Sequence, residues 1–222
     1  MKNIGNETTF IGSFTSLTIY QYRYKNTKIL PLGTKSSKIF FSALTYPYLC
    51  NMTTENRIIR RAILPADGEA INQVFEAARG IMVRSGNTHQ WQNGYPTLEN
   101  VRMDIEREGA FVIVDNGLVV GYFAFLPSPE PTYAKIYDGE WVDNNLPYHV
   151  VHRIASLPDT HGVFTSIMDF CFARDHNIRI DTHRDNLIMQ HNILKHGFTY
   201  CGIILLLNGD ERLAYQKVKS EK

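Results

Sequence analysis

Residues 148–207 read YHVVHRIASLPDTHGVFTSIMDFCFARDHNIRIDTHRDNLIMQHNILKHGFTYCGIILLL. Tyr148 to Ser156 has the β-branched, apolar character of a strand. Gly162 then opens a helix that places Val163, Ile167, Phe170 and Cys171 on its inner face. Ile178 to Thr182 is a second strand. Asp185 or Asn186 caps the next helix, and Gly197 ends it where a C′ glycine belongs. Phe198 to Leu207 is a third strand. A strand that enters a helix through a glycine turn aims several backbone N–H groups at one point, which suits a phosphate.

Upstream, Arg57 to Leu64 reads as a strand ended by Pro65. Asp67 is placed to cap a helix in which Ile71, Val74, Phe75 and Ala78 recur on one face, and Gly80 is the expected stop. A loop carrying Asn87, His89, Trp91, Asn93, Gly94, Tyr95 and Pro96 follows. Thr97 caps a second helix with Leu98, Val101 and Ile105 on one face, ended by Gly109. Ala110 to Val114 and Leu118 to Leu126 are strands joined through Asp115-Asn116-Gly117, a strong hairpin signal. Pro127, Pro129 and Pro131 close the second strand, and residues 132–147 are irregular, aromatic and acidic. Downstream, Asn208-Gly209 turns into a short final segment. Strand–helix–strand crossovers imply a parallel portion and the hairpin an antiparallel one. The sum is an α/β fold, a mixed sheet with helices on both faces.

The chain has 222 residues, 44% apolar and 20% charged, with a net charge of +1. Such a balance is that of a globular protein, and no global field argues for nucleic acid as a partner. Residues 1–51 differ from the rest. They hold six of the 23 basic residues and one of the 22 acids, so residues 52–222 carry 17 basic against 21 acidic. With no sustained periodicity, residues 1–51 read as a poorly structured or peripheral extension. Met52 begins MTTENRIIRRA, which resembles a natural start; the alternative is an extension that packs on the body. Cys50, Cys171 and Cys201 are an odd number, read as reduced thiols in a cytoplasm. The longest apolar stretch, Ile39 to Cys50, is interrupted by Pro47 and too short for a membrane span.

From Arg57 to about Lys219 the chain resembles the GNAT superfamily of acyl-CoA-dependent N-acetyltransferases. The resemblance lies in the order of elements, in VHRIAS at 151–156, in the Gly162 turn, in IRIDTH and DN over 178–186, and in Gly197-Phe198. It implies a GNAT domain over 52–222 and acetyl-CoA as co-substrate, bound at the splayed end of strands 150–156 and 199–206. The pantetheine arm is then expected along Ile154, Ala155 and Ser156, and the pyrophosphate on His161, Gly162, Val163, Phe164 and Thr165. Asn186 matches the asparagine that opens the last long helix near that arm. Two departures stand out. Asp159 and Phe164 replace the Arg/Gln and the small residue of the usual phosphate loop, and Pro158 to Gly162 is about two residues short. Ile193 occupies the position where many members carry a tyrosine that protonates the leaving thiolate. Cys201, Tyr200 or a water are the substitutes the sequence offers.

Transfer to an amine needs a group that removes a proton and a donor for the developing oxyanion. Glu140, Asp138, His149 and His152 are candidate bases. On a regular strand His152 shares a face with Val150 and Ile154, and His149 one with Val151 and Arg153. Trp91 and Tyr95 are candidates to line the acceptor pocket. No metal is expected, because the His149/His152 and His183/His191 pairs lack Cys or acidic partners at ligand spacing. The leading expectation is acetyl transfer to an amine of a small molecule or peptide, in a cytoplasmic enzyme that can form a homodimer, with no membrane or nucleic-acid partner. The competing expectation is a GNAT-fold sensor or interaction module that has lost catalysis.

Overall fold

The computed structural model describes residues 57–219; the expectations for residues 1–51 and for Met52 lie outside them. The elements run β1 (Arg57–Arg61), α1 (Gly68–Arg84), α2 (Leu98–Glu106), β2 (Ala110–Asp115), β3 (Leu118–Pro127), a 3-10 turn (Pro131–Tyr133), β4 (His149–Ser156), α3 (Val163–Phe172), β5 (Asn177–Thr182), α4 (Leu187–Lys195), β6 (Thr199–Leu205) and β7 (Glu211–Val218). Seven strands form one mixed sheet in the order β1-β2-β3-β4-β5-β7-β6. Only β4 and β5 pair in parallel; their neighbours pair antiparallel. Helices α1 and α2 cover one face around Ile71, Val74, Phe75, Val112 and Tyr122. Helices α3 and α4 cover the other around Ile167, Cys171, Ile180, Ile193 and Phe198.

Several local expectations change. Helix α1 runs through Gly80 to Arg84, with Gly86 beyond it at φ 85°. A glycine inside a helix costs only about 1 kcal/mol, whereas one at positive φ just past the last turn ends it. Asp67 does not cap α1 with its side chain. Both carboxylate oxygens accept from Arg60, each at 2.7 Å, and one also accepts from the Ile63 N–H. That pair holds the Asp67 carboxyl below the usual carboxylate range despite burial. The segment after Gly209 is a full strand, β7, inserted between β5 and β6. Strand 199–205 therefore lies at the sheet edge and is not the partner of β4. That partner is β5.

The decisive irregularity is in β4. Leu126, Phe125 and Ala124 face Val150, Val151 and His152 in register, but Tyr122 faces Ala155, so β4 holds one extra residue. Arg153 sits there at φ 54°. Alternation therefore breaks. Val151 and Ile154 both pack toward α3 and α4, while His152 stands on the opposite face beside Tyr133. The expected shared face of His152 and Ile154 is corrected by this bulge.

What holds the bulge is a buried charge network. The Arg153 Nε donates to Asp104 Oδ2 at 2.8 Å and its Nη2 to Asp104 Oδ1. Tyr122 donates to the same carboxylate at 2.7 Å, and Arg153 Nη1 donates to the Tyr95 hydroxyl at 3.1 Å. Asp104 is 2% exposed, so the pair lies in a poor solvent for charge. Removing one partner of such a pair strands the other and costs about 3–5 kcal/mol. Asp104→Ala should lower the stability measured by urea unfolding by about that amount; a loss below about 1 kcal/mol would remove the network from this role.

Candidate active site

Strand β4 pairs with β5 over three positions, His149↔Ile178, Val150↔Arg179 and Val151↔Ile180. Strand β4 then continues to Ser156 with no strand on that side among the described residues. Its backbone from His152 to Ser156 thus presents N–H and C=O groups to whatever lies in the gap. Two cavities open there. One, of about 350 Å³, is lined by Ile154, Ala155, Ser156, His161, Gly162, Val163, Phe164, Thr165 and Asn186 among others. The second, of about 490 Å³, is lined by Trp91, Tyr95, His152, Arg153, Asp181 and Arg212 among others. They adjoin, sharing Met82, Ile154, Asn186 and Met189.

The smaller cavity ends on the start of α3. Gly162 takes φ 73° at the N-cap, a left-handed turn that glycine accepts without strain. The Ser166 N–H bonds back to the Gly162 carbonyl. The N–H groups of residues 163–165 precede it and have no acceptor within the helix. They carry the partial positive charge of the helix start. The turn is braced from β1: Arg57 Nη1 donates to the His161 carbonyl at 2.8 Å and Nη2 to Asp115 at 2.9 Å. Lys195 lines the same cavity and adds a cation.

The two departures from the family phosphate loop lose much of their force in three dimensions. Phe164 is buried against the core and meets His196 edge-on at 4.9 Å, and both residues also line the cavity. Asp159 is exposed at φ 60° and does not line the cavity. The backbone donors at the start of α3 remain. The residues present therefore fit a diphosphate and an extended thiol arm.

In the larger cavity His152 faces Asp181, with Nδ1 at 3.5 Å from Oδ1. Tyr133 donates to the same carboxylate at 2.6 Å. Burial pushes the Asp181 carboxyl up, but His152, Tyr133 and the nearby Arg212 outweigh it and hold the carboxyl below its usual range. Asn186 links loop to helix. Its Oδ1 accepts from the Met189 N–H at 3.0 Å, making it the α4 cap, and its amide donates to Gln90 at 2.7 Å. Trp91 and Tyr95 meet edge-on at 6.2 Å and wall the cavity.

The structure thus brings together His152, Trp91, Tyr95 and the nine residues expected around the thiol arm and phosphate. It does not bring Glu140 or Cys201 to either cavity. Glu140 is exposed on the segment before Trp141. Cys201 is buried with Tyr133, Trp141 and Val150, and burial pushes its thiol up. Ile193 is 0% exposed in the core and lines neither cavity. Asp138, His149 and Tyr200 also lie outside both. His149 instead stacks on Phe125 at 4.4 Å and pairs with Asp175 at 2.5 Å. Sequence reasoning missed Asp181. The signal was present, since the alternation in IRIDTH sets Asp181 against Ile178 and Ile180. Among the described residues no group of three or more His, Cys, Asp or Glu is placed to hold a metal ion. Nor is any of their helices long and apolar enough to cross a membrane.

No protein-family model and no curated protein matches the chain. Solved structures do. A GNAT-family acetyltransferase from Streptococcus agalactiae 2603 is 32% identical with a TM-score of 0.68, the match covering 77% of this chain and 100% of that one. A GNAT-family acetyltransferase from Listeria monocytogenes 4b F2365 shares the fold at 20% identity and a TM-score of 0.55, covering 73% of this chain and 95% of that one.

Proline fixes φ near −65° and cannot adopt the Gly162 turn at 73°. Gly162→Pro should abolish the calorimetric binding of coenzyme A while leaving the far-ultraviolet circular dichroism native. Wild-type affinity in this variant would contradict the placement of the phosphate.

Proposed function

The chain belongs to the GNAT family of acetyltransferases, and from that premise we propose that it moves an acetyl group from acetyl-CoA to an amine by direct attack in a ternary complex. The observation that carries this reading is the junction of the two cavities. The free edge of β4 and the Gly162 turn meet a chamber holding His152 and Asp181, with Ile154 and Asn186 common to both.

The bound thioester supplies the activated acyl group. Ile154, Ala155 and Ser156 offer backbone partners for the arm, and residues 162–165 the donors for the diphosphate. The same free edge of β4 offers N–H groups where negative charge develops on the carbonyl oxygen. In the second cavity the imidazole is held by Asp181 on its Nδ1 side, which leaves Nε2 as the acceptor. As the amine nitrogen bonds to carbon, its proton passes to Nε2. Asp181, kept ionised by its surroundings, stabilises the imidazolium that results. Departure of the thiolate needs no side-chain acid, because a thiol pKa of about 8.5 makes the anion a stable leaving group near neutral pH. Thus neither Ile193 nor Cys201 has to supply a proton.

Ile193 favours a second reading, an acyl-CoA-binding module without transfer. Thiol release from acetyl-CoA against pooled amines separates the two. Amine-dependent release is expected, with kcat lowered about 10²- to 10³-fold in His152→Ala and coenzyme A affinity preserved. Stabilisation of the protein by acetyl-CoA with no thiol release from any amine would sink the transfer reading and favour the second.

A further inference from the structure

Arg212 is the most unusual charge in the larger cavity. Its side chain is 5% exposed, yet among the described residues the one carboxylate within 4.0 Å is Asp210, at 3.8 Å. That is beyond hydrogen-bond reach, and the same Asp210 oxygen already accepts from the Asn208 amide at 2.9 Å. The hydrogen bond the guanidinium does make, at 2.8 Å, goes to the carbonyl of its own neighbour Glu211. Buried cations are normally paired through hydrogen bonds. The contrast with Arg153 and Arg60 is direct, since both are fully engaged by carboxylates.

Its place in the sheet explains where it points. Across one face the neighbouring strands β4, β5 and β7 carry His152, Asp181 and Arg212. Val151 pairs with Ile180, so His152 and Asp181 follow in step. Asp181 pairs with Ala214, and Arg212 lies two residues from Ala214 on the same side. Strands lie about 4.8 Å apart and residues rise about 3.4 Å along a strand, so Arg212, one strand over and two residues on, starts about 8 Å from Asp181 and about 12 Å from His152 on the same face. All three line the same cavity.

We propose that Arg212 binds a carboxylate on the acceptor, so that the substrate is a zwitterion of the amino-acid class, its amine at His152 and its carboxylate at Arg212. This rests on the transfer reading above. A single negative charge is implied rather than a phosphate dianion, because Glu130, Asp181 and Asp210 also line the cavity and repel a second charge. Trp91 and Tyr95 supply an apolar wall for the substrate's side chain.

The test compares the common L-amino acids with their carboxamides as acceptors for acetyl-CoA. The carboxamide keeps the amine and removes the charge. At least one amino acid should exceed its carboxamide in kcat/KM by roughly 10- to 100-fold, the worth of a charge-assisted hydrogen bond. Arg212→Leu should collapse that ratio chiefly through KM, and Arg212→Lys should retain part of it. A binding arm needs no turnover: the matching N-acetyl-L-amino acid should raise the Tm of the wild-type protein and not that of Arg212→Leu. Carboxamides used as well as or better than the acids would overturn the carboxylate site and leave acetyl transfer standing. Equal loss of both arms in Arg212→Leu would also overturn it, by reducing Arg212 to a counter-charge for Asp181. Silence of every acceptor would instead bring down the transfer reading, and this inference with it.

Discussion

The site depends on one constraint: Arg153 held at φ 54° in the middle of β4 by a buried carboxylate. An extra residue in a strand interior breaks the ladder and turns the side chains beyond it. Here it does both. Pairing between β4 and β5 ends at Val151, just before the bulge, and the backbone beyond is left with an open edge. Past it, Ile154 turns toward the α3 and α4 face, which leaves His152 on the Asp181 side alone. The same guanidinium reaches Tyr95 in the loop before α2. One charge network thereby couples a helix, a strand and the wall of the larger cavity.

Much of the fold was legible because its signals are local. The Asn116-Gly117 hairpin, the Asn186 cap, the Gly197 stop and the Gly162 turn each follow from what a residue's backbone can do. What was not legible depends on pairing across the sheet. Strand β7 inserts between β5 and β6, and nothing local in residues 211–218 says so. Hence the partner of β4 was misplaced at 199–206. The bulge is equally silent. VHRIAS reads as a regular strand, and Arg153 becomes irregular only because Asp104, 49 residues away, accepts its guanidinium.

The same distinction governs the candidate site. Residues on the glycine turn and on β4 line a cavity as the sequence suggests, because backbone geometry places them there. Asp181, Lys195 and Arg212 were not singled out, since their place at the cavities depends on which strands and helices meet. Glu140 and Cys201 show the reverse error. Each has suitable chemistry, but Glu140 faces solvent and Cys201 is locked beside Tyr133 and Trp141. Three dimensions also soften the loop departures. Phe164 packs mainly into the core while still lining the cavity, and Asp159 is exposed outside it, so the acid is kept from the backbone donors.

The central claim is that acyl-CoA lies along the free edge of β4 and ends on the start of α3. Amide hydrogen exchange with and without acetyl-CoA tests it directly. The account predicts new protection at residues 152–156 and 163–165, with β6 (199–205) unchanged. Protection centred on 199–205, with 152–156 unaffected, would contradict it.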